Sequence, residues 1–186
     1  MCRTAVVTLG LAAAVASAAL APGCGSNSPT TGPSGTGGIT IVGTGGAGAT
    51  GGAGASDCPA IENVGDTITQ EQASGALPTP MGGAIVDGTY VLTSSQAYPP
   101  VTADPPAHTR ETIRIAGTVL DVAVTSDDFP SGFTARANFG ASGTEISLVY
   151  LCGPGAGASF TVGYTATATE LDLISDPGSV STFTKR

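Results

Sequence analysis

The chain has 186 residues, a net charge of −8 and only 11% charged side chains against 41% hydrophobic ones, with one histidine, four cysteines and no tryptophan. From Asp57 onward fourteen acidic residues stand against five basic ones (Arg110, Arg114, Arg136, Lys185 and Arg186), an excess that repels phosphate backbones and anionic lipid surfaces and so excludes nucleic acid as a partner. That portion, roughly 130 residues, is long enough for one hydrophobic core and too short for two.

Taken in chain order, Met1 to Ala21 carries a single positive charge, Arg3, followed by an uncharged run from Ala5 to Ala21 rich in Ala, Val and Leu. At about 17 residues the run is short for a membrane span, and its small-residue ending reads as a secretory signal. Leu20-Ala21-Pro22-Gly23-Cys24 resembles a bacterial lipobox, in which a small residue precedes the cysteine that is diacylated and becomes the new amino terminus. The resemblance implies a signal over residues 1–23, a lipid on Cys24 and the membrane as the partner of that lipid. Ordinary cleavage near Ala19 to Gly23, leaving Cys24 as a free thiol, is the alternative. By the sorting rule of enteric lipoproteins, Gly25 after the modified cysteine implies delivery to the outer membrane of the cell envelope.

Gly25 to Ser56 has no charged residue and over a third glycine, so it cannot bury enough apolar area to offset its ordering entropy. Residues 24–56 therefore read as a disordered tether, with a reach of about 30 Å for a flexible coil of this length. The apolar patch Ile39-Thr40-Ile41-Val42 interrupts it and has no account in these terms. Cys2 leaves with the signal, and an exported chain with Cys58 and Cys152 left over pairs them in a disulfide. The two are 94 positions apart, for which loop-closure entropy gives about 4–5 kcal/mol. Neither sits in a Cys-x-x-Cys spacing, which leaves zinc and redox roles without support.

Residues 57–186 read as one domain: an extended lead-in over 57–86, then a barrel over 87–186. Asp87 to Thr93 opens the first predicted strand, Thr112 to Ala116 the second and Thr118 to Val124 the third. Phe133 to Gly140, Thr144 to Leu151, Phe160 to Ala166, Glu170 to Ile174 and Val180 to Thr184 complete eight. A phrase repeats among them: Thr118-Val119-Leu120-Asp121-Val122, Thr144-Glu145-Ile146-Ser147-Leu148 and Thr169-Glu170-Leu171-Asp172-Leu173 each follow a small-residue turn and alternate polar with aliphatic. No stretch of the mature chain carries a 3.6-residue period with caps, so the fold class is all-β.

Loop lengths set the topology. The connections at Gly117, Ala141 to Gly143 and Ala168 are tight, and those between them are longer. In an antiparallel up-and-down meander alternate connections share an end, so one end is sealed and the other carries every long loop. Eight strands suffice to close a barrel and remove its edges; an open sandwich of the same hairpins is the structural rival. This loop asymmetry, with the Gly88-Thr89-Tyr90 opening and the Lys185-Arg186 close, resembles the lipocalin-like group of the calycin superfamily. In that group a Gly-x-Trp at the first strand packs by a basic residue of the last strand at the closed end, and Tyr90 stands where the Trp would be. The chain also looks like uncharacterised bacterial lipoproteins that share the opening found at Gly82 to Thr93.

The predicted interior is lined by Tyr90, Leu92, Ile113, Ile115, Leu120, Val122, Phe139, Ile146, Leu148, Tyr150, Phe160, Val162, Tyr164, Leu171 and Leu173. Either these fill the barrel, or the small Ala135, Ala137 and Gly163 leave an apolar cavity for a small hydrophobic ligand. The Tyr98-Pro99-Pro100 loop is then a lid, and Asp104, Asp127, Asp128 and Asp176 rim the mouth, favouring a cationic ligand or weak calcium. His108 is a lone loop histidine without the neighbours a metal site needs. No Gly-x-Ser-x-Gly elbow occurs, and Gly153-Pro154-Gly155-Ala156-Gly157 has no helix after it to cradle a phosphate. The expectation is a non-enzymatic domain without metal or cofactor, binding a small apolar ligand; a structural or protein-interaction module of the cell envelope is the alternative, its protein partner unknown.

Overall fold

The computed structural model describes residues 58–186. The expected signal over 1–23, Cys24 and the expected tether over 24–56 lie outside the described residues. Among the described residues ten strands form: β1 (Ile68–Thr69), β2 (Glu71–Gln72), β3 (Gly88–Ala97), β4 (His108–Ala116), β5 (Val119–Ser126), β6 (Phe133–Ser142), β7 (Glu145–Cys152), β8 (Ser159–Ala166), β9 (Glu170–Ser175) and β10 (Ser179–Lys185). From β3 to β10 each strand pairs antiparallel with the next, and β10 returns to pair with β3, so the eight close on themselves. The expected barrel, of the kind the lipocalin resemblance implies, is therefore formed, and the sandwich is not. Among the described residues there is no helix.

Each repeated phrase enters a strand directly after a tight turn: Gly117-Thr118 leads into β5, Gly143-Thr144 into β7 and Thr167 to Thr169 into β9. Alternation then sorts the side chains. Leu120, Val122 and Val124 of β5 point inward, and register places them opposite Ile115, Ile113 and Glu111 of β4. The intervening Asp121 points outward, between Arg114 of β4 and Arg136 of β6, which stand opposite it in the two ladders. Arg114 Nη2 and Arg136 Nε each donate to its carboxylate at 2.6 Å. Burial alone would raise the Asp121 carboxyl, but hydrogen bonds from Arg136 and then Arg114 outweigh it and hold the group below the usual carboxylate range. Asp121→Ala strands two arginines on a covered outer face; with both partly solvated, a loss of about 2 kcal/mol in urea denaturation is expected.

The lead-in is extended, as expected, but it also builds part of the barrel. Cys58 is bonded to Cys152 at the end of β7, with 5.5 Å between their Cα atoms. Further along, Asn63 Nδ2 donates to Arg110 O and the Val64 amide donates to Thr112 Oγ1, both on β4, and Gly65 lies against Val91 of β3. The segment is thus a strap across the outside of the wall, which explains why the outward-facing Thr112 and Ala123 are buried. It then enters the wall. β3 and β4 pair only from Gly88↔Ile115 to Val91↔Thr112, and beyond that fork β1 pairs with β4 while β2 pairs with β3.

The segment after Ala73 ends at the tight-turn end, where the Gly82 to Thr93 opening acquires its reasons. Gly83, at φ 127°, brings the backbone so near Ala166 O that a Cβ there would collide with it. Its own carbonyl accepts the Tyr164 hydroxyl at 2.9 Å, and Val86 O accepts the Tyr90 hydroxyl at 2.6 Å. Ile85 packs against the core between them. The Gly117 amide donates to Asp87 Oδ1, tying the opening to a tight turn. Residues 83–86 therefore cap the closed end. Gly88, at φ 155°, leaves room for the Lys185 side chain, and Lys185 stands opposite Tyr90 in register. The basic residue of the last strand thus packs on the glycine of the first strand's opening, while Tyr90, at the Trp position of the resemblance, is buried in the core with its hydroxyl on Val86 O.

Candidate functional site

Closure and loop length give the barrel two unlike ends. The cap seals one, and at the other gather residues 98–107, 127–132, 153–158 and 176–178. The interior beneath these loops is the candidate site.

Tyr90, Leu92, Leu120, Val122, Ala135, Ala137, Ile146, Leu148, Tyr150, Val162, Tyr164 and Leu171 all lie in one buried cluster with Ile113, Ile115, Leu173, Val124 and Phe183. Phe133, Phe139 and Phe160 pack against it and stay partly exposed. Gly163 does not face the interior. Its neighbours Val162 and Tyr164 do, so period-two geometry turns Gly163 outward, where Pro80 of the lead-in rests on it. Of the three small residues expected to leave room, Ala135 and Ala137 remain.

Aromatic rings frame the mouth. Phe129, in the loop before β6, meets Phe133 edge-to-face at 5.1 Å, and Phe160 meets Tyr150 in the same way at 5.4 Å. The Tyr98 loop is tied down on both sides. The Tyr98 amide donates to Gly178 O, its hydroxyl donates to Gln96, and Gln72 Nε2 donates to Ala97 O while Gln72 Oε1 accepts the Ala103 amide. Val101 is buried beneath this loop. Asp104, Asp127, Asp128 and Asp176 are all exposed on mouth loops. Asp127 accepts from the His108 amide at 2.9 Å and meets its ring Nδ1 at 3.0 Å; these two contacts hold the Asp127 carboxyl below its usual range. Among the described residues no group of three or more His, Cys, Asp or Glu is placed to hold a metal ion.

The interior is not uniformly apolar, and the sequence pattern alone did not reveal this. β4 begins at His108 rather than Thr112, so Glu111 belongs to the strand and shares the inward face of Ile113 and Ile115. It is 1% exposed. Its Oε1 is buried with no hydrogen-bond partner, and burial pushes its carboxyl up to about 8. Burial first, and then the field of Glu111, push the Tyr150 phenol upward as well. On β10, Ser179 and Ser181 are buried and register places Ser181 opposite the inward Leu173. The upper interior thus joins a carboxyl, a phenol and hydroxyls to an apolar wall. Glu111 stands one residue past the last β3–β4 pair, at the fork. Beside the fork a groove of about 430 Å³ runs between β1 and β3, lined by Thr67, Thr69, Glu71, Thr93, Ser94 and Ser95.

No protein-family model matches the chain, and no curated protein matches it. Among solved structures the chain is similar to a lipocalin-like protein from Bacteroides uniformis, at 18% identity and a TM-score of 0.41, over 54% of this chain and 97% of that one. It is also similar to an uncharacterized protein from Bacteroides eggerthii, at 12% identity and a TM-score of 0.39, over 54% of this chain and 98% of that one. Closure of the barrel follows from the strand pairings themselves.

Proposed function

We propose that the protein is an exported domain, held to the outer membrane by a lipid on Cys24, that binds a small, largely apolar ligand in the upper interior of its barrel. The observation that carries the ligand reading is the framing of the mouth. Phe133 and Phe160 are only partly buried, and they adjoin a wall in which Ala135 and Ala137 bring little bulk. An apolar guest entering between the long loops gains contact with those rings and loses water. The lipid reading rests on the Leu20 to Cys24 stretch and the glycine-rich segment after it. The domain is read as a binder and not an enzyme, because among the described residues the interior brings one carboxyl, a phenol and hydroxyls together without a histidine or free cysteine beside them to act as base or nucleophile.

Native mass spectrometry of the protein purified from its own host is expected to show an adduct that solvent extraction removes. N-phenyl-1-naphthylamine added to the extracted protein is expected to bind with enhanced fluorescence and to be displaced by that extract. A protein with neither adduct nor dye binding overturns the ligand reading. Independently, Cys24→Ser is expected to move the protein from the membrane fraction to the soluble one; unchanged membrane partition overturns the anchor.

One observation favours a second reading, a protein-interaction module. Val149 and Leu151 on the outer face of β7 are each 45% exposed, a pair of apolar side chains turned to solvent. Loss of a crosslinked partner in Val149→Ser, with no adduct in either protein, would favour it.

A further inference from the structure

We propose that the interior site takes a cationic lipophile, an amine on an apolar body, with Glu111 as its counter-ion. The inference rests on the interior-ligand reading above and names the chemistry of the guest.

Two independent observations converge on it. The first is inside. Glu111 points into the barrel from β4, and its Oε1 is buried without a partner. A buried carboxyl with one oxygen unpartnered is costly in either state: neutral, it leaves that acceptor unmet, and ionised, it lacks a compensating charge. Among the described residues the cations are elsewhere. Arg110, Arg114 and Arg136 alternate onto the outer face, opposite in parity to Glu111, Ile113 and Ala135, the Arg110 Nε being buried there without a partner, and Lys185 and Arg186 lie at the sealed end. An ammonium supplies what these do not: charge, and donors that reach a carboxylate. Tyr150 on β7, a phenol raised by burial and then by the field of Glu111, shares the interior with it, as do the phenols of Tyr90 and Tyr164 nearer the sealed end.

The second observation is outside. The four mouth loops carry Asp104, Asp127, Asp128 and Asp176, all exposed, and among residues 98–107, 127–132, 153–158 and 176–178 there is no lysine or arginine. A negative rim over a low-dielectric interior raises the local concentration of cations and turns anions away. Fatty acids, the simplest apolar alternative, would meet the rim and then set a second carboxyl beside Glu111.

The pairing has a proton signature. With its carboxyl held up at about 8, Glu111 is mainly protonated at neutral pH. Docking of an ammonium leaves a carboxylate against it and sends the carboxyl proton to solvent. A neutral alcohol of the same length accepts or donates one hydrogen bond and releases no proton.

The test uses three probes of one body: octylamine, 1-octanol and octanoate, titrated calorimetrically at pH 7 into the full mature chain carrying Cys24→Ser, in phosphate and in Tris. Octylamine is expected to bind at least about tenfold tighter than 1-octanol, with octanoate weakest, and to release close to one proton, read from the difference between buffers. Glu111→Gln is expected to lose the amine preference and the proton release, octylamine falling to no tighter than 1-octanol. Glu111→Leu is the second variant, with the same expected outcome should the glutamine form fold poorly. Equal binding of the three probes, or an amine preference that survives both variants, overturns this inference and leaves the interior-ligand reading standing. Failure of all three probes to bind overturns both.

Discussion

Between pH 5 and pH 8 the ligand-free domain is expected to lose up to about 4 kcal/mol of folding stability, and Glu111→Leu to remove most of that loss. The sign follows from where the proton is held. Burial raises the Glu111 carboxyl from its ordinary 4.5 to about 8 in the folded chain. Across that window the folded state binds a proton that the unfolded state has released, so each rise in pH favours unfolding, by about 1.4 kcal/mol per pH unit. Above about 8 both states are deprotonated and the slope vanishes. Asp121 acts in the opposite sense and in a different window: its carboxyl is held down by Arg136 and Arg114, so its contribution is present above the unfolded value and lost only in acid. The two groups therefore separate on a pH axis. Leucine keeps volume and removes both the unmet acceptor and the titration, so the variant should equal or exceed the natural protein at pH 8. Urea midpoints at pH 5, 6.5 and 8 decide the matter. A natural protein whose stability is level or rising across that range would show that Glu111 is ionised and satisfied by something in the folded state.

The barrel was legible because its signals are local. Period-two alternation marks each strand of the meander, and three turn-Thr-aliphatic phrases mark the sealed end, so both the strand count and the loop asymmetry follow from neighbours in sequence. Cys58 and Cys152 were legible by elimination, and the structure joins them. What escaped was set by distant contacts. The residues His108-Thr109-Arg110-Glu111 show no apolar alternation, and nothing local says strand; they extend β4 because β5 continues alongside them and β1 pairs with their far edge. A strand that begins at Thr112 puts Glu111 in a loop. Counting two back from Ile113 on the same face would have found it, the signal having been parity rather than propensity. The same parity, applied at Val162 and Tyr164, would have turned Gly163 outward. Gly82 to Thr93 was legible as a phrase and not as a cap, since its meaning lies in Ala166, Tyr164, Gly117 and Lys185, up to about a hundred positions away.

Cys152→Ser is expected to lower the melting temperature by roughly 10–20 °C. The bond closes a loop of 94 residues, so breaking it returns about 4–5 kcal/mol of conformational freedom to the unfolded chain. The bond also has a native-state role, because Cys58 is the upstream fixing point of the strap. Past it, the strap is held by Asn63 and Val64 on β4 and by the short pairings of β1 and β2. Those pairings matter to the site, since β1 and β2 occupy the fork beside Glu111 and Gln72 fixes the Tyr98 loop. The two contributions are separable. If chain entropy dominates, Cys58→Ser, Cys152→Ser and the double variant melt together, and amides of β1 and β2 exchange no faster than those of β3 in native-state hydrogen exchange. If the strap detaches, residues 58–72 lose protection ahead of the barrel, and dye access to the interior rises before global melting. The first pattern is expected at neutral pH, because Asn63, Val64, Gln70 and Ala73 each keep a backbone or side-chain hydrogen bond to β3, β4 or the loop between them that does not depend on the bond. An unchanged melting temperature in reductant, with the thiols shown to be free, would mean that the unfolded chain is held together by other contacts and that the strap is secured without Cys58.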